Sequence, residues 1–250
     1  MDDEWSVVTS IKKTKPASAV TSIKRELFLN DPTTQYVPNF AHGTFISKDK
    51  QNYYGELEFL NLYAGISKRI LYFRTKHSAY LSKLITKFPN NIWIIINDEI
   101  APLSELPDSV IILNKSSIDK DFIGKCHESD GGGFLLISNI FDTDQDIRTA
   151  IAEQNTMLQK YGADISLVRF RAPYPKTVKD IIRIPQCIFK FIICPKADST
   201  ETNLIIFKEN LKTPLTINCS HYEQLLAYHN QVRRANHLYD QNNLLLFNSS

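Results

Sequence analysis

None of the four cysteines stands in a C-x-x-C arrangement, and none of the six histidines lies at metal-ligand spacing to them. Cys126, Cys187, Cys194 and Cys219 therefore offer no metal knuckle and read as buried, inert thiols of a reducing compartment. No metal is expected. His42, His77, His127, His221, His229 and His237 read as ordinary surface or semi-buried side chains. A membrane-length apolar run is absent, and Met1-Asp2-Asp3-Glu4 lacks the apolar core of a signal segment. The expectation is a cytoplasmic protein with no membrane partner. Charge of one sign is lacking too: 29 Lys and Arg against 27 Asp and Glu leave +2. Composition thus makes no case for a nucleic-acid partner, and any such case must rest on local clusters. Glycine is missing where a phosphate or dinucleotide site would need it. The turn after the first predicted strand reads FRTKHSA (73–79), so side chains fill the space a ligand would approach. Gly131 to Gly133 precede a strand rather than follow one. No Ser or Cys occupies a nucleophile elbow.

What is present suffices for a large core: 43% of the 250 residues are hydrophobic and 11% aromatic. Residues 1–35 read as an arm, with the near repeat VTSIKK (8–13) and VTSIKR (20–25) carrying Lys12, Lys13, Lys15, Lys24 and Arg25. Such an arm is either a solvated tail or a phosphate-touching extension. Residues 36–250 read as a single domain. Its first helix, GELEFLNLYAG, places Leu57, Leu60 and Tyr63 on one face and is expected to end at Gly65. Short apolar runs at 70–73, 92–96, 110–113 and 134–138 predict buried strands. Between them 78–88 predicts a helix capped by Ser78, and 118–124 a helical turn. The stretch from Asp142 to Gly162 predicts a helix with Asp142, Asp144 and Asp146 at its positive end. Strands are expected at 165–170, 188–193 and 204–207, and a last helix at 222–240. Strands alternating with helices predict a mostly parallel central sheet with helices on both faces, and the C-terminal strands an antiparallel edge.

One segment is locally basic. VRFRAPYPKTVKDIIRIP (168–185) carries Arg169, Arg171, Lys176, Lys179 and Arg183 against one acid, Asp180, with Tyr174 held between two prolines. Cations around a stiff aromatic suit RNA binding through phosphate contacts and base stacking. A solvated loop whose aromatic packs on the core fits the composition equally well.

With these residues in view, the chain resembles the poxvirus family of cap-specific mRNA 2′-O-methyltransferases that also serve as the small, processivity subunit of poly(A) polymerase. The likeness runs from about Tyr36 to Asp240. It rests on the order of GELEFL (55–60), LLIS (135–138), VRFRAPYP with KD and IP following (168–185), TETNLI (200–205) and YEQLLAYHNQVRR (222–234). The resemblance implies a Rossmann-like S-adenosylmethionine-methyltransferase fold, a methylated-guanine pocket and a Lys-Asp-Lys-Glu tetrad. In such a tetrad a lysine of depressed pKa beside carboxylates draws the proton from a ribose hydroxyl.

Carried onto this chain, the tetrad positions are Gln51, Asn139, Arg169 and Glu201, and only the glutamate matches. Arginine stays charged at biological pH and cannot be that base. Donor-site positions fall at Tyr72, Arg74, Ser78 and Asn97, without the small turn residues or the acid, although Asp98 adjoins Asn97. No catalytic residue and no cofactor is expected. Arg74, Lys76 and His77 could hold an anion there instead. The cap pocket is partly kept: Tyr36 and Tyr174 match stacking aromatics and Glu223 an acid for the guanine edge, while Lys176 replaces a second acid. The resemblance therefore implies a catalytically inactive, RNA-binding regulatory subunit of a heterodimeric cytoplasmic mRNA-processing complex. Its expected partners are single-stranded RNA, with capped mRNA included, and a poly(A) polymerase catalytic subunit. The RNA would be held by Arg169, Arg171, Lys176, Lys179 and Arg183, extended by Arg233 and Arg234. An alternative is a non-catalytic stimulatory subunit of an mRNA capping enzyme, activating the partner's guanine methyltransferase. A third is an active 2′-O-methyltransferase using Lys50 and Asp142.

Overall fold

A computed structural model of the chain describes residues 48–74, 80–97, 107, 109–128, 132–138, 146–191 and 201–228. Expectations for the arm, Tyr36, Lys76, His77, Ser78, Asp98, Asn139, Asp142, Cys194, Arg233 and Arg234 lie outside these residues.

Helix α1 (Lys48–Tyr63) leads into β1 (Arg69–Arg74), α2 (Leu81–Lys87), β2 (Ile92–Asn97), β3 (Val110–Leu113) and α3 (Lys120–Glu128). Then come β4 (Leu135–Ser138), α4 (Ile147–Tyr161), β5 (Ile165–Phe170), β6 (Ile181–Pro185) and β7 (Ile188–Phe191). The described part closes with β8 (Thr202–Phe207), β9 (Pro214–Asn218) and α5 (Cys219–Tyr228). Seven strands form one sheet in the order β3-β2-β1-β4-β5-β8-β7, while β6 and β9 pair separately. Strands β1 to β5 of this sheet are parallel; β8 runs antiparallel to both β5 and β7, so β7 points with the first five. The protein is thus a mixed α/β structure with a mostly parallel central sheet. The antiparallel pairing falls among the C-terminal strands as expected, but the reversed strand lies one in from the edge rather than at it.

Alternation along the strands sorts the core into two layers. Ile70 and Tyr72 of β1, Trp93 and Ile95 of β2 and Leu135 and Ile137 of β4 pack with Leu57, Phe59 and Leu60 of α1 and Leu81, Leu84 and Ile85 of α2. Their neighbours Leu71, Phe73, Ile94, Ile96 and Leu136 face the other way, onto Ile123 of α3, Ile151 and Leu158 of α4 and Leu225 and Leu226 of α5. Sandwiched between layers, the central strands need apolar side chains on both faces, which is why they read as continuous apolar runs.

The ends of α4 follow their sequence signals. The Asp146 carboxylate accepts the Thr149 N–H at 3.0 Å, and Gly162 closes the helix in the left-handed region at φ 58°. Other boundaries differ. Helix α1 stops at Tyr63 and continues as a turn, so Gly65 does not act as the expected left-handed cap. Helix α3 runs on to Glu128, well past the short turn expected at 118–124. Strand β6 lies inside the segment read as a basic loop. Its buried residues Ile182 and Ile184 alternate with exposed Ile181 and Arg183, a period-two pattern that the density of charge obscured.

Gly133 opens β4 at φ 81°, and a Cβ there would collide with the Asp164 carboxylate. Gly162 also has positive φ but faces open space. Gly162→Ala should therefore cost only about 1 kcal/mol of backbone strain. Gly133→Ala should cost more, because the Asp164 carboxylate must also swing away from the added methyl. Urea midpoints of the two variants check this, and equal losses would contradict it.

Candidate functional site

In open α/β sheets the crevice for a ligand lies beyond the carboxyl ends of the strands, where strand order reverses. Here the reversal is between β1 and β4, and the neighbouring end of β5 carries the most informative side chains.

Arg169, the penultimate residue of β5, is 2% exposed, and its Nη2 donates to Oε2 of Glu201, itself buried just before β8. The antiparallel register sets Arg169 opposite Asn203, two residues beyond Glu201, so the pair is built by the β5–β8 ladder. Gln154 on α4 donates to the Arg169 carbonyl at 2.9 Å and anchors the same strand end from the other layer. Above Asn203 lies Gly55 of α1. A Cβ on Gly55 would strike the Asn203 side-chain amide, so only glycine allows the helix to approach this closely. Gln51 precedes Gly55 by four residues on the same helix. The structure thus brings Arg169 and Glu201 into contact under the helix that carries Gln51. Asn139 follows Ser138 at the end of β4, outside the described residues.

Burial removes Arg169 from the expected RNA-binding surface. Its guanidinium is turned inward to a carboxylate, where a phosphate passing over the surface does not meet it. Lys176, Lys179 and Arg183 are exposed and Arg171 is partly so, while Tyr174 is 67% exposed.

Among the donor-site positions, only Tyr72 has a described side chain. It is buried in the α1–α2 layer, where its hydroxyl donates to Glu56 at 3.0 and 3.1 Å and lies 3.3 Å from that of Tyr80. Tyr80 donates to the same carboxylate at 2.9 Å. Burial, then the Glu56 charge, push the Tyr72 phenol well above its ordinary pKa, so it stays protonated as a donor. That hydroxyl is committed to the interior, an arrangement that does not fit the role of presenting it to a methyl donor. Glu56 escaped the sequence reading. Its signal was an acid within the apolar stripe of α1, three residues after Tyr53 and four before Leu60.

Glu223, on α5, is buried, and burial raises its carboxyl to about 7, with the Arg171 charge pulling the other way. Its neighbour Tyr222 fixes α5 to the sheet: its hydroxyl lies 3.2 Å from the Thr202 hydroxyl and 3.4 Å from the Phe170 carbonyl. Glu223, Arg171 and the end of β5 therefore share one region, with Tyr174 three residues farther along the loop. Among the described residues no cluster of three or more His, Cys, Asp or Glu could hold a metal ion, and no helix is long and apolar enough to cross a membrane. Cys126, Cys187 and Cys219 are buried, and burial raises the thiols of Cys126 and Cys219.

No protein-family model matches the chain, and no curated protein sequence matches it.

Two measurements follow from this geometry. Arg169→Met or Glu201→Leu alone leaves a buried charge uncompensated and should cost roughly 3–5 kcal/mol, whereas Arg169→Met with Glu201→Leu should cost clearly less than the sum. Denaturation of the single and double variants tests it, and additive losses would count against a coupled pair. For Glu223 the folded-state pKa is raised, so its neutral form stabilises the fold below the ordinary carboxyl range, and that stability is lost as pH rises through about 7. Relative to Glu223→Gln, the wild type should lose on the order of 2–3 kcal/mol between about pH 5 and 8. Arg171→Met should shift the midpoint upward. A pH-independent difference between wild type and Glu223→Gln would refute the assignment.

Proposed function

We propose that the protein is a catalytically silent, methyltransferase-like subunit that binds single-stranded RNA in a poxvirus-type cytoplasmic mRNA-processing complex, in the manner of a poly(A) polymerase processivity subunit. The observation that carries this reading is the buried Arg169–Glu201 pair. A ribose hydroxyl needs a base that can lose and regain a proton near neutral pH, and an arginine locked to a carboxylate stays cationic throughout. The strand order supports the methyltransferase-like part: five parallel strands reversed about β1, with one antiparallel strand inserted before the last, suit that fold. Tyr72, turned inward to Glu56, argues against a donor site of the usual kind.

The RNA-binding part rests on the loop leaving β5. Arg171, Tyr174 and Lys176 follow the strand end directly, and the aromatic is exposed beside two cations, the combination that stacks a base and holds its phosphate. Arg169 drops out of this set. A bound guanine cap would meet Lys176 where the family pattern has an acid, so the chain of the RNA rather than its cap is the proposed ligand.

Affinity for an oligoadenylate should fall steeply with salt. Arg171→Ala and Lys176→Ala should each flatten the slope of log K against log salt by roughly 0.7, the share of one single-strand phosphate contact. Tyr174→Ala should weaken binding with the slope unchanged. Absence of binding at low salt would remove the RNA-binding role, and transfer of a methyl group to capped RNA would remove the silent one.

A further inference from the structure

Three of the seven large apolar side chains exposed among the described residues fall within eight positions: Tyr174, Val178 at 77% and Ile181 at 48%. Isolated exposed apolar residues are ordinary on any surface, but a cluster on a rigid segment marks a binding surface. This segment is pinned along its length. The Asp180 carboxylate accepts the Lys176 N–H at 2.8 Å and the Thr177 hydroxyl at 2.9 Å, closing a turn whose tip is Val178 and Lys179. Asn218 Nδ2 donates to the Val178 carbonyl at 2.8 Å, the Cys219 N–H to the Asp180 carbonyl at 2.9 Å, and Arg148 Nη1 to the Ile181 carbonyl at 3.2 Å. The backbone is thus held from α4, β9 and α5 while Val178 and Ile181 face solvent. A surface held in place this way gives up little entropy when it is covered.

The surrounding charge selects the occupant. Lys179 stands at the turn tip, and Arg183 points outward beside Ile181 on β6. Across the ladder Ile181 faces Asn218 and Arg183 faces Thr216, both uncharged. The one carboxylate in this stretch, Asp180, is engaged by backbone and hydroxyl donors, and those hydrogen bonds hold it below the usual carboxylate range. The surface is therefore aliphatic at its centre and cationic at its rim. RNA has no use for an exposed valine and isoleucine where it could stack on an aromatic. A protein surface with apolar side chains ringed by carboxylates matches both the centre and the rim.

We propose that the turn Thr177–Asp180 and the outward face of β6 form a docking surface for a protein partner that presents apolar side chains within an acidic rim. The proposal rests on the reading of the chain as a subunit, and it assigns Val178, Lys179, Ile181 and Arg183 to the partner, leaving Arg171, Tyr174 and Lys176 to RNA.

The test is selection of short random peptides displayed on phage against the full chain, with a Val178→Ser, Ile181→Ser double variant as the counter-target. Enriched peptides should combine Leu, Phe or Trp with several Asp or Glu, and should bind the double variant at least about tenfold more weakly. They should also lose affinity to Lys179→Glu, Arg183→Glu and to rising salt. All four positions are exposed, so unchanged melting is expected of both variants. The proposal is overturned by no enrichment over the double variant, by enrichment without acidic residues, or by oligoadenylate binding lost on substituting Val178 and Ile181. Self-association of the wild type that the double variant abolishes would also overturn it, assigning the surface to a second copy. Failure of the RNA reading would appear separately, at Arg171 and Lys176.

Discussion

A guanidinium and a carboxylate withdrawn from water hold the carboxyl end of β5 against the approach to β8. Neither Arg169 nor Glu201 tolerates that environment alone, because an unpaired buried ion costs several kcal/mol. Their pairing requires β8 to run beside β5 in the register that brings residue 201 alongside residue 169. That register inserts the antiparallel strand before the last parallel one and pushes β7 out to the edge. It also brings Asn203 under α1, where only Gly55 admits the amide. Sheet order, helix approach and strand-end chemistry thus meet at one ion pair.

The same pair decides what chemistry the region can support. A proton-accepting lysine needs neighbours that lower its pKa, and arginine has no accessible neutral form to lower. On α5, burial does the opposite for Glu223, lifting its carboxyl into the neutral range. One buried acid is neutralised by a cation and the other by a proton. The first locks a strand end, and the second leaves α5 sensitive to pH. Arg169, fixed as a cation, cannot draw a proton from a hydroxyl, and this supports the proposed silent reading.

Much of the architecture was legible residue by residue. The apolar runs of β1, β2, β4 and β5 mark strands covered on both faces, and Asp146 and Gly162 bound α4 by cap chemistry that acts locally. Strand β6 was hidden because its alternating isoleucines sit among lysines and arginines, and composition outweighed period over five residues. Gly65 misled because a helix end is also set by where the next strand must begin. Glu56 went unnoticed because an acid on an apolar stripe gains meaning only when Tyr72 and Tyr80 arrive from other elements. Spacing along the chain did not require Arg169 to meet Glu201; the β5–β8 register brings them together.

The sequence by itself determined which residue types occupy each position: an arginine and an asparagine where the resemblance implies a base and its tuning acid, and a turn without glycine. These are statements about side-chain chemistry, which holds whatever the fold. Which of the cations remain available to a partner was decided only by the tertiary structure. Arg169, Arg171, Lys176, Lys179 and Arg183 are equivalent as text, but β5 carries the first into the core while the turn at 177–180 and β6 hold the last two outward beside Val178 and Ile181. Burial depends on what packs across the sheet, and residues more than thirty positions away settle it.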